Sequence, residues 1–412
     1  MNYYLGIDFG TSGARAIIID ESQHICTEIK ENFIPGNSLI KSWQKTLFKL
    51  LDNIPKNLRE NTKAIAINGT SSTVLLCDNQ GNPLEEAILY NDSRAKAILE
   101  ELKNLVPANH LVLSSTSSLA KLYWWSKQAI FAEANYFLHQ ADWLGFLLHG
   151  KLGISDYHNA LKLGYDVEKL TYPYWLEKLP FFALLPEILD PGTAIEEVTK
   201  EIGDRFNFPS DCLVKTGTTD SIAAFIASGV RQTGEAVTSL GSTLVLKLLS
   251  DRRIENSSYG IYSHRWGNLW LTGGASNTGG AVLKQFFTEE ELEHLSSKIN
   301  PNLESNLKYY PLLKKGERFP INDPCLQPIL EPRPEDSVKF LQGILESIAR
   351  IEAKGYKLLQ QLGATKLRKV YTAGGGAKNE VWTQIRQRQL QVPVIRSKQS
   401  EAAYGTAILA KG

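Results

Sequence analysis

The chain has 412 residues, 43% of them hydrophobic and 22% charged, with a formal net charge of +1. That length exceeds one ordinary hydrophobic core and calls for two domains, while the balanced charge argues against a nucleic-acid surface or an acidic tail. Cys26, Cys77, Cys212 and Cys325 contain no C-x-x-C pair, so neither a zinc site nor a disulfide framework is indicated and a cytoplasmic setting fits. The N-terminus runs straight into a strand without the basic and apolar segments of a secretory signal, and no apolar run approaches the length of a membrane span.

In chain order, β-branched and aromatic runs predict strands at 3–8, 14–20 and 25–33. An amphipathic helix follows at 39–51, then strands at 64–68 and 74–77. This βββαβ order suggests an α/β domain on a mixed sheet. Residues 93–170 read as mainly helical and aromatic-rich, with Tyr123, Trp124 and Trp125 and the run from Trp143 as core. Residues 185–215 are Pro/Gly-punctuated and loop-like. A strand at 212–215 leads through Gly217-Thr218-Thr219-Asp220 into a helix at 221–228. The stretch GEAVTSLGSTLVLKLLS then repeats the opening layout of strand, Gly-Ser-Thr turn and strand. Strands at 259–264 and 269–271 precede the Gly-rich turn GGASNTGG. A long helix at 337–362, a strand at 369–371, the triplet Gly374-Gly375-Gly376, a helix, a strand at 392–395 and a helix from 401 complete the chain.

The opening turn places Asp8 beside Gly10, Thr11, Ser12 and Gly13, which brings a carboxylate, two hydroxyls and several backbone N–H groups into one bend. Such a nest suits a phosphate and a metal shell, although the same residues also make an ordinary polar turn. Its recurrence at Gly241-Ser242-Thr243 is more specific than either turn alone, because it marks an internal duplication. The glycine triplet allows close backbone approach, and the helix start behind it favours an anion or the sugar edge of a nucleotide; a plain turn is the alternative. Neither G-x-x-x-x-G-K-[ST] nor G-x-G-x-x-G occurs, so a P-loop is excluded and a dinucleotide fold is unsupported. Asp220 is either a stabilising acid at a helix N-terminus or a general base, and spacing leaves both open.

The segments DFGTSGAR, NDSR, GTTDSIAAFIASG, GEAVTSLGST, GGASNTGG, TAGGGAKN and SEAAYGTAILA occur in the order found in the FGGY family of carbohydrate kinases, which the chain resembles over nearly its whole length. The resemblance implies an α/β fold of two duplicated ribonuclease H-like domains, of the actin and hexokinase type, with ATP in an interdomain cleft. Residues 1–213 would form the sugar-binding N-terminal domain and 214–412 the ATP-binding C-terminal domain. It further implies ATP and Mg2+ as cofactors, with Asp8 holding the metal through its water shell and Asp220 as the catalytic base. Gly10, Thr11, Ser12 and Arg15 would lie at the transferred phosphate, and Gly241, Ser242 and Thr243 would form the second phosphate turn. Gly274 and Gly279 would approach ATP, Gly375, Gly376 and Asn379 would face the adenosine, and Asp92 would contact the polyol.

Two departures stand out. Where the family places Gly-Gln and then bulkier substrate-selecting side chains, this chain has Ser71-Ser72; Arg388-Gln389 replaces the family's Ala-Asp before the last strand. With its short length, the chain looks most like the small cyanobacterial and plant type, read as pentulose kinases. The expected acceptor is D-ribulose, with D-xylulose, another polyol or a catalytically weak ATP- and sugar-binding sensor as alternatives. The expected partners are ATP and a ketopentose, without nucleic acid or membrane, in a monomer or small homo-oligomer.

Overall fold

The opening strand-formers become an antiparallel meander in the computed structural model, which describes residues 1–34, 36 and 38–412. Strands β1 (Tyr3–Phe9), β2 (Gly13–Asp20) and β3 (Ile25–Asn32) pair in succession. Helix Leu39–Asn53 then crosses over, and β4 (Thr62–Gly69) returns parallel to β1. The helix buries Ile40, Trp43, Leu47, Leu50 and Leu51, a three-four spacing that puts them on one face. They pack against Leu5, Ile7, Phe9, Ile65 and Ile67 from β1 and β4.

The stretch read as mainly helical also holds strands. After β5 (Val74–Cys77) come β6 (Tyr136–His139), antiparallel to it, and β7 (Ile154–Asp156), which pairs in parallel with β8 (Glu187–Leu189). These runs are too short to show an alternating pattern, and their partners lie far off in sequence. The stretch read as loop also contains β9 (Ala194–Glu197) and helix Lys200–Phe206, and it ends in β10 (Leu213–Thr219). The first sheet therefore runs β3-β2-β1-β4-β10-β9.

After β11 (Glu235–Leu240), β12 (Leu244–Ser250), β13 (Tyr262–Trp266) and β14 (Leu269–Ser276) come β15 (Lys369–Ala373) and β16 (Val394–Arg396). This second sheet runs β13-β14-β12-β11-β15-β16. Removing one edge strand from each sheet leaves the same order, an antiparallel meander followed by two parallel strands. That is the duplication expected from the repeated turn. β14 runs on through Gly273 and Gly274, where a turn was expected. A Cβ on Gly273 would sit 1.9 Å from the Leu246 carbonyl oxygen of β12, so glycine here allows close strand approach.

Residues Met1–Ala227 together with Gln399–Gly412 form one compact unit, and Ser228–Lys398 form the other. The expected boundary at 213/214 falls at the first residue of β10, which pairs with β4 and so belongs to the first sheet. The C-terminal helix Ala402–Lys411 also returns to the first unit. It crosses β1 and helix Asp220–Ala227 at two glycines: a Cβ on Gly6 would meet the Ala407 nitrogen at 2.1 Å, and one on Gly405 the Ala223 oxygen at 1.8 Å. Among the described residues, no helix is long and apolar enough to cross a membrane.

The second unit is tied together by a fully buried ion pair. Arg386 donates through Nε and Nη2 to Glu352, at 2.7 Å each, and through Nη1 to Thr372 at 2.7 Å. Thr238 donates to the same carboxylate at 2.5 Å. This network joins β11 and β15 to helices Ser337–Gln361 and Glu380–Leu390. Removing one buried partner strands the other, so Arg386→Met is expected to cost about 3–5 kcal/mol in urea unfolding. Adding Glu352→Leu should recover most of that loss, since a well-packed apolar pair often matches a buried ion pair. A single variant as stable as wild type would show that the charges are not what holds these elements.

Candidate active site

Strand register brings the two acids singled out from sequence to one edge of the first sheet. Asp8 on β1 lies beside Asn68 on β4, and Asn68 lies beside Thr218 on β10. Neighbouring strands stand about 4.8 Å apart, so this row spans roughly 10 Å. The pairing of β10 with β4 shifts register between Lys215 and Thr218. Gly217 sits in that shift, where a Cβ would lie 1.7 Å from the Ile67 carbonyl oxygen. Any side chain there would push β10 off β4 and carry away Asp220, the first residue of the helix that follows.

The Asp8 carboxyl is pushed up to about 6, first by burial and then by the negative charge of Asp220, against the opposing effects of Arg15 and Asn68. The Oδ1 atom of Asp8, the Oδ1 of Asn68 and the hydroxyl of Thr219 are buried with no hydrogen-bond partner among the described residues. The Asp220 carboxylate accepts from the Ser221 N–H at 2.6 Å. Behind it, the buried His158 ring shares a 2.8 Å hydrogen bond through Nδ1 with the Thr218 hydroxyl.

Between β1 and β2 the Gly10 N–H donates to the Gly13 carbonyl at 3.0 Å, closing the turn and leaving Thr11 and Ser12 exposed. Arg15, opposite Asp8, is paired with Glu401 and lies 3.4 Å from Glu28.

Ser71 and Ser72 follow β4, beyond its end at Gly69, and so lie at the same edge. Ser72 has φ +63°, is 1% exposed, and keeps its hydroxyl without a partner among the described residues. Its carbonyl accepts from Lys121 at 2.6 Å. Asp92 is held by Arg94 through Nε at 3.0 Å and Nη2 at 2.7 Å, which keeps its carboxyl below the usual range. Asp8, Ser71, Ser72 and Asp220 thus gather at the C-terminal ends of three parallel strands, the edge where sheets of this kind bind ligands. Asp92 is near enough for its charge to act on Lys121.

In the second unit, Gly241, Ser242 and Thr243 join β11 to β12. The loop after β14 laces onto this turn: Gly280 donates to the Gly241 carbonyl at 2.8 Å and Leu244 to that of Thr278 at 2.8 Å. Gly279 has φ +149°, and a Cβ there would meet the Ser242 oxygen at 2.7 Å. Gly375 and Gly376 follow β15, the parallel neighbour of β11, and a Cβ on Gly375 would meet nothing within 4 Å. A Cβ on Gly274 would strike the Phe319 ring at 2.5 Å, so a glycine here allows close core packing. Asn379 caps helix Glu380–Leu390 through the Trp382 N–H at 2.9 Å and donates to Ser296 at 2.8 Å. Arg388, at one sequence departure, pairs with the buried Glu346 at 2.8 Å.

Asn68, Lys121 and His158 were not singled out from sequence. Lys121 carried a signal, as the one charge in the apolar helix Ser118–Trp125.

The chain is 23% identical over 436 residues to a xylulose kinase of Staphylococcus epidermidis, covering 98% of this chain and 87% of that protein. Among solved structures, a xyloylose kinase from Brucella ovis superposes with a TM-score of 0.84 at 23% identity, covering 100% of this chain and 90% of that one. The Plasmodium falciparum glycerol kinase with ADP also reaches 0.84, at 19% identity over 100% of this chain and 89% of that one. These structures establish the fold of two α/β domains. The models of the N-terminal and C-terminal domains of the FGGY family of carbohydrate kinases match residues 3–227 and 226–411, so the chain belongs to that family and is a phosphotransferase acting on a sugar or polyol.

Proposed function

We propose that this chain transfers the terminal phosphoryl group of ATP to the terminal hydroxyl of a ketopentose, D-ribulose ahead of D-xylulose. The observation that carries the reading is the placing of Asp220 near enough to Asp8 for its charge to act on that carboxyl. A protein that only binds sugar and nucleotide needs no such pair.

In this reading Asp220 takes the proton from the sugar hydroxyl. The freed oxygen bonds to the terminal phosphorus of ATP while the bond from that phosphorus to its bridging oxygen breaks, and ADP leaves. Gly10, Thr11 and Ser12 offer backbone and hydroxyl donors to the phosphoryl group in transit, with Arg15 at the rim. Asp8 fits a divalent cation, Mg2+ in this proposal, since its Oδ1 lacks a partner and burial penalises its bare charge. Among the described residues no cluster of three metal-binding side chains occurs, which suits a cation held mostly by water and phosphate. The bound ion supplies charge neutralisation on the phosphate oxygens. Gly241, Ser242, Thr243 and Gly279 are assigned to the phosphates, and Gly375 and Gly376 to the adenosine.

The sugar preference rests on Ser71 and Ser72, each bearing a hydroxyl that both donates and accepts. Small side chains leave room for a ketopentose, and a buried, unpaired hydroxyl penalises a sugar that fails to match it. D-Xylulose is the second reading, favoured by the xylulose kinases among the relatives. Coupled ADP-release assays with D-ribulose, D-xylulose and glycerol separate them. The highest kcat/KM is expected for D-ribulose and the lowest for glycerol. Higher kcat/KM with D-xylulose would reverse the sugar order, and binding without sugar-dependent ADP release would point to a sensor.

A further inference from the structure

We propose that Lys121 is a positioning residue of the sugar site, whose buried ammonium clamps the carbonyl oxygens of Ser72 and Leu89 and so presents the Ser72 hydroxyl to the acceptor. The inference deepens the kinase reading and rests on its assignment of this edge to the sugar.

Lys121 is 0% exposed, although lysine is almost never fully buried without a partner. Its Nζ donates at 2.6 Å to each of the two carbonyls, and among the described residues no carboxylate lies within ion-pair distance. Burying a charge in this way is costly, and two carbonyl acceptors only partly compensate. A purely structural need could be met by any element that covers the carbonyls without a charge. Here the clamp falls on a strained residue. Ser72 adopts a left-handed conformation uncommon for a residue with a Cβ, and such strain persists only where the surroundings over-determine it. Its hydroxyl is buried yet unpartnered, so a donor and an acceptor are held ready in a site of fixed shape.

The setting of the ammonium agrees. Burial lowers Lys121 to about 7, Asp92 works against that shift, and Lys162 and Arg94 work with it. A neutral amine still keeps two N–H donors, enough for both carbonyls, so the two hydrogen bonds persist in either protonation state.

A double-mutant cycle tests the proposal. Ser72→Gly tolerates the same backbone conformation but removes the hydroxyl, while Lys121→Met removes the clamp and keeps most of the volume. Each single change is expected to raise KM for the preferred sugar about tenfold or more, with KM for ATP within about twofold of wild type. The double variant should be little worse than Ser72→Gly alone, because both remove one presented hydroxyl. Losses that add, or a Lys121→Met variant whose KM rises equally for sugar and ATP, would overturn the clamp. If Lys121→Met does not melt cooperatively, Lys121→Leu, which likewise has no N–H donor, takes its place in the cycle with the same outcomes. A wild-type protein that phosphorylates none of the sugars overturns the kinase reading and this proposal with it, whereas an active wild type with additive losses overturns the clamp alone.

Discussion

Asp220→Asn is expected to lower turnover at least about a hundredfold while leaving sugar and nucleotide affinity near wild type. The substitution keeps the size of the side chain and an oxygen that can accept from the Ser221 N–H, as the aspartate does at 2.6 Å. Asparagine serves a helix N-terminus about as well as aspartate, so a residue that only stabilised helix Asp220–Ala227 would tolerate the change. What asparagine cannot do is accept a proton from the sugar. The variant also removes the charge that, after burial, raises the Asp8 carboxyl, so Asp8 should titrate lower than in wild type. Calorimetry for both ligands and turnover at saturation make the test. Turnover within about threefold of wild type, in a variant with a normal melting curve, would reduce Asp220 to a helix-terminal acid.

The sequence made the turns legible because their residues are local: a bend that must expose hydroxyls and backbone donors has few compositions available. Hence Asp8 through Ser12 and Gly241 through Thr243 stand where their strands were expected to meet. The row from Asp8 through Asn68 to Thr218 was not legible, because parallel register is set by pairing between distant segments. Asn68 reads only as the end of an apolar strand, yet it borders Asp8 and donates to Thr406 at 2.5 Å. The return of helix Ala402–Lys411 to the first unit was hidden for the same reason. Gly6 and Gly405 are separated by nearly the whole chain, and only their close contacts show that the first lets the C-terminal helix onto β1 and the second lets it onto helix Asp220–Ala227. Asn379, which TAGGGAKN places among the expected adenosine contacts, also caps its helix and donates to Ser296, a second use that the motif does not announce.

Asp8→Asn should lose both activity and metal response while becoming more stable, a combination that separates a working carboxylate from a structural one. In the folded protein the carboxyl is raised from its ordinary value of 3.8 to about 6, chiefly by burial, so ionising it works against folding. Its contribution to stability is fully present below the unfolded value and is lost as pH rises through the folded one. Near neutral pH, asparagine avoids that penalty. The variant should therefore melt above wild type at pH 7.5, and the gap should narrow as the pH falls through about 6. Turnover should drop by at least about a hundredfold, since no carboxylate remains to hold the ion that offsets charge on the phosphate oxygens. Added Mg2+ should no longer raise the rate, while sugar affinity measured without nucleotide stays close to wild type. If the variant instead lost sugar affinity and kept its response to Mg2+, Asp8 would belong to the acceptor side of the site rather than to the metal. If it melted below wild type at pH 7.5, the buried carboxylate would be a net support to the sheet edge, and the strain inferred from its raised pKa would be wrong.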